Sequence, residues 1–170
     1  MMKIKSILLI ILAMIANSAQ AIVVIEDFAD KDLKNNPEWA GDTASMKIYK
    51  GELRVATPNS NGYSSVYTKS DVLKNGGTWM AWFYIGTTPT ASNHTIFVLS
   101  SETDDMSAPK GYFVKVGGSA KNICLLSNGG ESLKGDNTTL TTLIKSEDKR
   151  VNATSVKACR RVTRDSVGNW

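Results

Sequence analysis

Beyond residue 21, the apolar positions of this chain fall in short runs rich in Val, Ile, Tyr, Trp and Thr, separated by Gly, Asn, Ser and Pro. No helical period is sustained for more than two turns. Alternate side chains of a strand face opposite ways, and β-branched and aromatic residues fit a pleated surface, so this pattern predicts strands. They are expected at Ile22–Ile25, Ser45–Tyr49, Glu52–Thr57, Ser64–Lys69, Thr78–Gly86, Thr95–Ser100, Gly111–Gly117, Asn122–Ser127 and Ser155–Arg164. Between them lie Lys50-Gly51, Asn59-Ser60-Asn61-Gly62, Asn75-Gly76-Gly77, Gly117-Gly118 and Asn128-Gly129-Gly130, each with a residue that accepts positive φ at little cost. Many short strands joined by such turns predict an all-β, antiparallel β-sandwich.

Two strands show different patterns. Glu52-Leu53-Arg54-Val55 alternates polar and apolar, as a half-buried strand should. In Thr78–Gly86 both faces are apolar: Trp79, Ala81, Phe83 and Ile85 on one, Met80, Trp82 and Tyr84 on the other. This strand is expected to be central, with its second face either covered by loops or lining a groove. In the groove reading Trp82 and Tyr84 are candidate ligand-binding residues, because an aromatic ring offers a flat apolar surface to a pyranose. Two stretches do not read as strand. Residues 30–42 are polar and predict an ordered loop; residues 131–149 predict a long loop around a short strand.

The N-terminus carries a different signal. Lys3 and Lys5 precede an uninterrupted apolar run from Ile7 to Ala16, followed by Ala19-Gln20-Ala21. Basic start, short apolar core and small-residue cleavage pattern occur in the order of a secretory signal peptide, which assigns residues 1–21 to export and 22–170 to one domain. The product is expected in the periplasm, at the cell surface or outside the cell. No apolar run is long enough for a membrane-spanning helix. Loss of the two lysines lowers the net charge from +4 to +2. Basic residues cluster at Lys149-Arg150 and from Lys157 to Arg164, on strand-like sequence without a recognition helix, so no nucleic-acid partner is expected.

The candidate chemistry is sparse, and no catalytic residue is assigned. Glu102, Asp104 and Asp105 form the densest carboxylate group; it reads either as a solvated loop or as a Ca²⁺ site, since hard cations gather loop carboxylates and carbonyls. No other cofactor is implied. Glu26, Asp27, Asp30 and Asp32 lack the regular spacing of a calcium loop. His94 is the only histidine. Cys124 and Cys159 are the only cysteines; an exported chain permits a disulfide between them, or two separate thiols.

Asp27-Phe28-Ala29-Asp30, Asn36-Pro37-Glu38-Trp39-Ala40-Gly41-Asp42-Thr43, Gly51-Glu52-Leu53, Thr78-Trp79 to Trp82, Gly111-Tyr112-Phe113-Val114-Lys115-Val116-Gly117-Gly118 and Arg161-Val162-Thr163-Arg164-Asp165 to Gly168-Asn169-Trp170 carry a resemblance that spans residues 22–170. In their order and spacing they resemble the N-terminal concanavalin A-like (laminin-G-like) jelly-roll domain of secreted Bacteroidota surface proteins, the type found ahead of lamin-tail-type domains. The resemblance implies a jelly roll that binds glycans or cell-surface material, with no established catalysis. Glycosidases of the same sandwich class carry Glu-x-Asp-x-x-Glu on a strand; here Glu102 and Asp104 match but Ser107 stands at the third position. Such domains usually continue with further strands. Here Asp165 to Asn169 reads as a hairpin turn and Trp170 as the start of a returning strand, so the jelly roll is expected to be incomplete in this chain. Its open edges would then favour strand-mediated self-association.

Overall fold

The computed structural model describes residues 26–35, 37–55, 63–69, 76–133 and 140–170. The expected signal peptide at residues 1–21, the expected strand at Ile22–Ile25 and the turn at residues 59–62 lie outside these. Among the described residues ten strands form: β1 (Ala40–Gly41), β2 (Met46–Tyr49), β3 (Glu52–Val55), β4 (Val66–Tyr67), β5 (Gly77–Ile85), β6 (His94–Ser101), β7 (Lys110–Gly117), β8 (Asn122–Gly129), β9 (Thr141–Lys145) and β10 (Val156–Arg164). Every pairing is antiparallel. No α-helix occurs among the described residues, and no helix there is long and apolar enough to cross a membrane. The all-β expectation is met, with one addition: β1 forms inside the expected 30–42 loop, while β9 is the short strand expected within 131–149.

Strands β6, β7, β8 and β9 form one sheet in sequence order, while β5 pairs with β10 as a nine-residue ribbon; β2–β3 and β1–β4 are smaller pairs. Local chemistry sets the turns. Lys50 and Gly51 both hold positive φ, 54° and 72°, which suits the mirror-image two-residue turn joining twisted strands β2 and β3. Gly111 answers a different need. The β6–β7 register slips at a bulge between Val98 and Ser100, and a Cβ on Gly111 would strike the Ser100 carbonyl oxygen.

The core lies on both faces of the four-stranded sheet. On one face Leu99, Val114, Val116 and Leu125 pack against Ile85, Val156 and Ala158 of the ribbon, with Trp79, Phe83 and Val162 at the margin. On the other, Phe113, Cys124 and Leu126 are covered by Leu133, Leu140 and Tyr63. A sheet buried on both sides explains why β7 and β8 read as nearly continuous apolar runs. The result is a two-layer, sandwich-like arrangement in which the ribbon lies over the sheet.

The C-terminal turn forms as expected. The Asp165 N–H donates to the Asn169 carbonyl at 2.9 Å, and the Asp165 carboxylate accepts from the N–H groups of Val167 (3.0 Å) and Asn169 (2.8 Å) and from the Asn169 side-chain amide (2.7 Å). Trp170 is not in a strand. Its ring lies 4.8 Å from Tyr112 and 5.8 Å from Trp79, centroid to centroid, so it packs at the margin of the core.

This turn carries a pH dependence. The Asn169 backbone N–H, then the Asn169 amide, with smaller help from the N–H groups of Val167 and Gly168, hold the Asp165 carboxyl below the ordinary carboxylate range. A carboxyl whose folded pKa is depressed contributes stability above its unfolded pKa and loses it as pH falls through the folded one. Melting temperature should therefore fall between about pH 5 and about pH 2, and fall less steeply in Asp165→Asn. Equal slopes in thermal melts of the two proteins would contradict this role for Asp165.

Candidate functional site

The outer face of the β5–β10 ribbon is the most distinctive surface of the molecule. Regular alternation along β5 turns Trp79, Phe83 and Ile85 inward and Met80, Trp82 and Tyr84 outward. Met80 is 65 % exposed, Trp82 79 % and Tyr84 56 %. The sequence left a covering loop or a groove as alternatives and expected the strand to be central; among the described residues no segment covers these side chains, and β5 pairs with β10 alone.

The pairing register supplies the rest of the face. Lys157 lies opposite Tyr84, Cys159 opposite Trp82, Arg161 opposite Met80 and Thr163 opposite Thr78. The last pair is joined by a hydroxyl–hydroxyl contact of 3.3 Å. The Lys157 ammonium sits 5.7 Å from the Tyr84 ring centroid, a cation–π contact that steadies both side chains. Neither residues 76–101 nor residues 149–164 contain an Asp or Glu. The face is thus an aromatic row flanked by Lys157 and Arg161, with no carboxylate. Arg160 has inward parity, opposite Ala81, whose small side chain leaves it room, and its guanidinium donates to the Cys159 carbonyl at 2.7 Å.

The carboxylate group lies elsewhere and is divided. Glu102 to Ser107 forms the loop between β6 and β7 rather than a strand, so its carboxylates do not alternate along one face. Glu102 pairs with Lys110 at 2.8 Å, which raises the lysine pKa. Asp105 accepts from the Ser107 N–H at 3.0 Å and from its hydroxyl at 2.6 Å. Asp104 and Asp105 instead border an open cleft of about 330 Å³ with Asp42, Tyr63, Ser65 and Tyr67. The Tyr63 hydroxyl donates to the Met106 carbonyl, and burial pushes its phenol up. Among the described residues no group of three or more His, Cys, Asp or Glu could hold a metal ion. The three carboxylates expected as a Ca²⁺ site are therefore not gathered at one point: Glu102 is paired with Lys110, while Asp104 and Asp105 border the cleft with Asp42.

The N-terminal acids serve the chain itself. Asp27, Asp30 and Asp32 accept backbone N–H groups two residues on, and Glu26 accepts from the Trp39 indole at 3.1 Å. His94 opens β6, with Nδ1 3.1 Å from the Ala91 carbonyl oxygen.

Both cysteines are free, which corrects the disulfide alternative. Cys124 is buried on the sheet face away from the ribbon, its thiol donating to Asn122 Oδ1 at 3.2 Å; burial pushes its pKa up. Cys159 lies on the outer face of the ribbon, so the sheet and the ribbon–sheet core separate the two sulfurs. Native protein should therefore expose one thiol promptly to an aromatic disulfide reagent, lost in Cys159→Ser, and a second only on unfolding. A gel shift on reduction of the monomer would contradict this.

Trp82 and Tyr84 were legible from alternation alone. Lys157 and Arg161 were visible only as part of a basic cluster, because nothing in the sequence says that β10 pairs with β5. The chain matches no family model, no curated protein and no solved structure.

Proposed function

We propose that this chain is an exported, non-catalytic binding module that holds glycan or other cell-surface polymer on the outer face of the β5–β10 ribbon. We further propose that its fold is the concanavalin A-like (laminin-G-like) jelly roll of secreted Bacteroidota surface proteins. The observation that carries the reading is the exposure of Trp82 between Met80 and Tyr84 on a regular strand. Apolar side chains grouped on one face usually mark an interaction surface rather than tolerated disorder. Aromatic rings held on a paired strand lose little freedom when a sugar stacks on them, so most of the contact energy survives as affinity. The signal-like segment at residues 1–21 supports a location where such polymers are met.

The test is affinity electrophoresis of the exported protein through native gels cast with a panel of neutral and acidic polysaccharides. Retarded migration in at least one is expected; unchanged migration in every gel overturns the reading.

A second reading rests on the sheet edges. Among the described residues β5 and β10 each pair on one side only, and β9 presents Leu143 and Ile144 on an exposed edge. Such edges accept further strands, from another part of a larger surface protein or from a second copy. Self-association and binding of a hydrophobic dye would support it, and a monomer with one sharp melt would count against it.

A further inference from the structure

We infer that the polymer held by this face is a polyuronate, a polysaccharide whose pyranose rings carry carboxylates. This rests on the glycan-binding reading above and specifies its ligand.

Charge placement carries the argument. Six of the residues from 149 to 164 are Lys or Arg and none is Asp or Glu. Strand parity places two of the six, Lys157 and Arg161, on the outer face, on the rungs of Tyr84 and Met80. Four residues of strand separate them by about 13–14 Å. Trp82 lies between, on the rung of Cys159. A ring stacked on Trp82 thus has a cation within reach along the chain in each direction. Arg161 forms no ion pair among the described residues, and the contact of Lys157 is with a ring face, so both charges are available.

The same charges exclude the simplest competitor. Packing this face on a second copy would bring Lys157 and Arg161 against their own kind with no carboxylate to offset them, and like charges across an interface are costly. A neutral glycan would satisfy Trp82 and leave both cations idle. A carboxylate at the ring edge meets the planar fork of Arg161 through two parallel hydrogen bonds and leaves the ring face apolar for stacking. Single-stranded nucleic acid also stacks on aromatic rings, but it binds in basic grooves that follow many phosphates, and this face offers two cations.

The experiment measures binding of the exported protein to polygalacturonate, dextran, dextran sulfate and poly(dT) by calorimetry, in low and high salt. Polygalacturonate is expected to bind best and to weaken several-fold when salt rises from about 50 to about 200 mM. Lys157→Gln with Arg161→Gln should weaken it by about tenfold or more, with near-UV spectra unchanged. Dextran binding equal to that of polygalacturonate and indifferent to the double substitution would overturn the inference and leave the glycan reading standing. Tighter binding of dextran sulfate would likewise overturn the choice of carboxylate. Tighter poly(dT) binding would overturn both, as would binding to none of the four polymers together with free migration in every gel.

Discussion

Phe113→Ala is expected to cost about 3–5 kcal/mol of folding stability, the largest loss of any single substitution considered. Phe113 has no exposed surface and sits at the centre of the β7 face that looks away from the ribbon, against Cys124, Leu126, Leu133 and Leu140. Truncation removes the contacts of a whole ring and leaves a cavity that strands paired on both sides cannot close. Since a domain of this size is typically stable by about 5–15 kcal/mol, the variant should be near the limit of folding. Urea denaturation followed by tryptophan fluorescence gives the difference. A loss below about 1 kcal/mol would show that the second face of the sheet is not packed as described.

Trp82→Ala should do the reverse. Its ring is in water in the free protein, so truncation should change stability by no more than about 0.5 kcal/mol. A buried aromatic anchor at an interface is worth about 2 kcal/mol or more, which is roughly 30-fold in Kd. Trp79→Ala, on the other face of the same strand, should destabilise the protein and leave the affinity of the folded fraction unchanged. If Trp82→Ala unfolds the protein, or binds as well as the parent, the outer face is not the ligand surface.

The strands that bury one or both faces were legible because burial imposes its own alternation. Gly77–Ile85 is the clearest case: odd positions from Trp79 to Ile85 face inward, as a period of two requires. Strand β9 was legible only as a short strand somewhere within residues 131–149, because Thr141-Thr142-Leu143-Ile144-Lys145 is exposed at every position and burial wrote no pattern that fixes its bounds. β1 is two residues long and depends on Val66 and Tyr67, some 25 residues away; its Gly41, at φ 97°, would bring a Cβ to 2.6 Å from the Ser65 carbonyl oxygen. Long-range pairing also hid the composition of the candidate site. Trp82 and Arg161 share a face only because β10 returns across nearly eighty residues to pair with β5 in unbroken register. The two free thiols follow from the same geometry, since strand parity and layer, which sequence does not show, put Cys124 and Cys159 on opposite sides of the core.

Oxidative footprinting of the four tryptophans, with and without the polysaccharide that retards the protein, tests the ligand surface most directly. Trp82 is exposed, while Trp39, Trp79 and Trp170 are partly buried. Trp82 should oxidise first in the free protein and be the one protected when polysaccharide is bound, with the other three unchanged. Protection of a different tryptophan, or oxidation of Trp82 at the same rate in the bound protein, would contradict the assignment of the outer ribbon face.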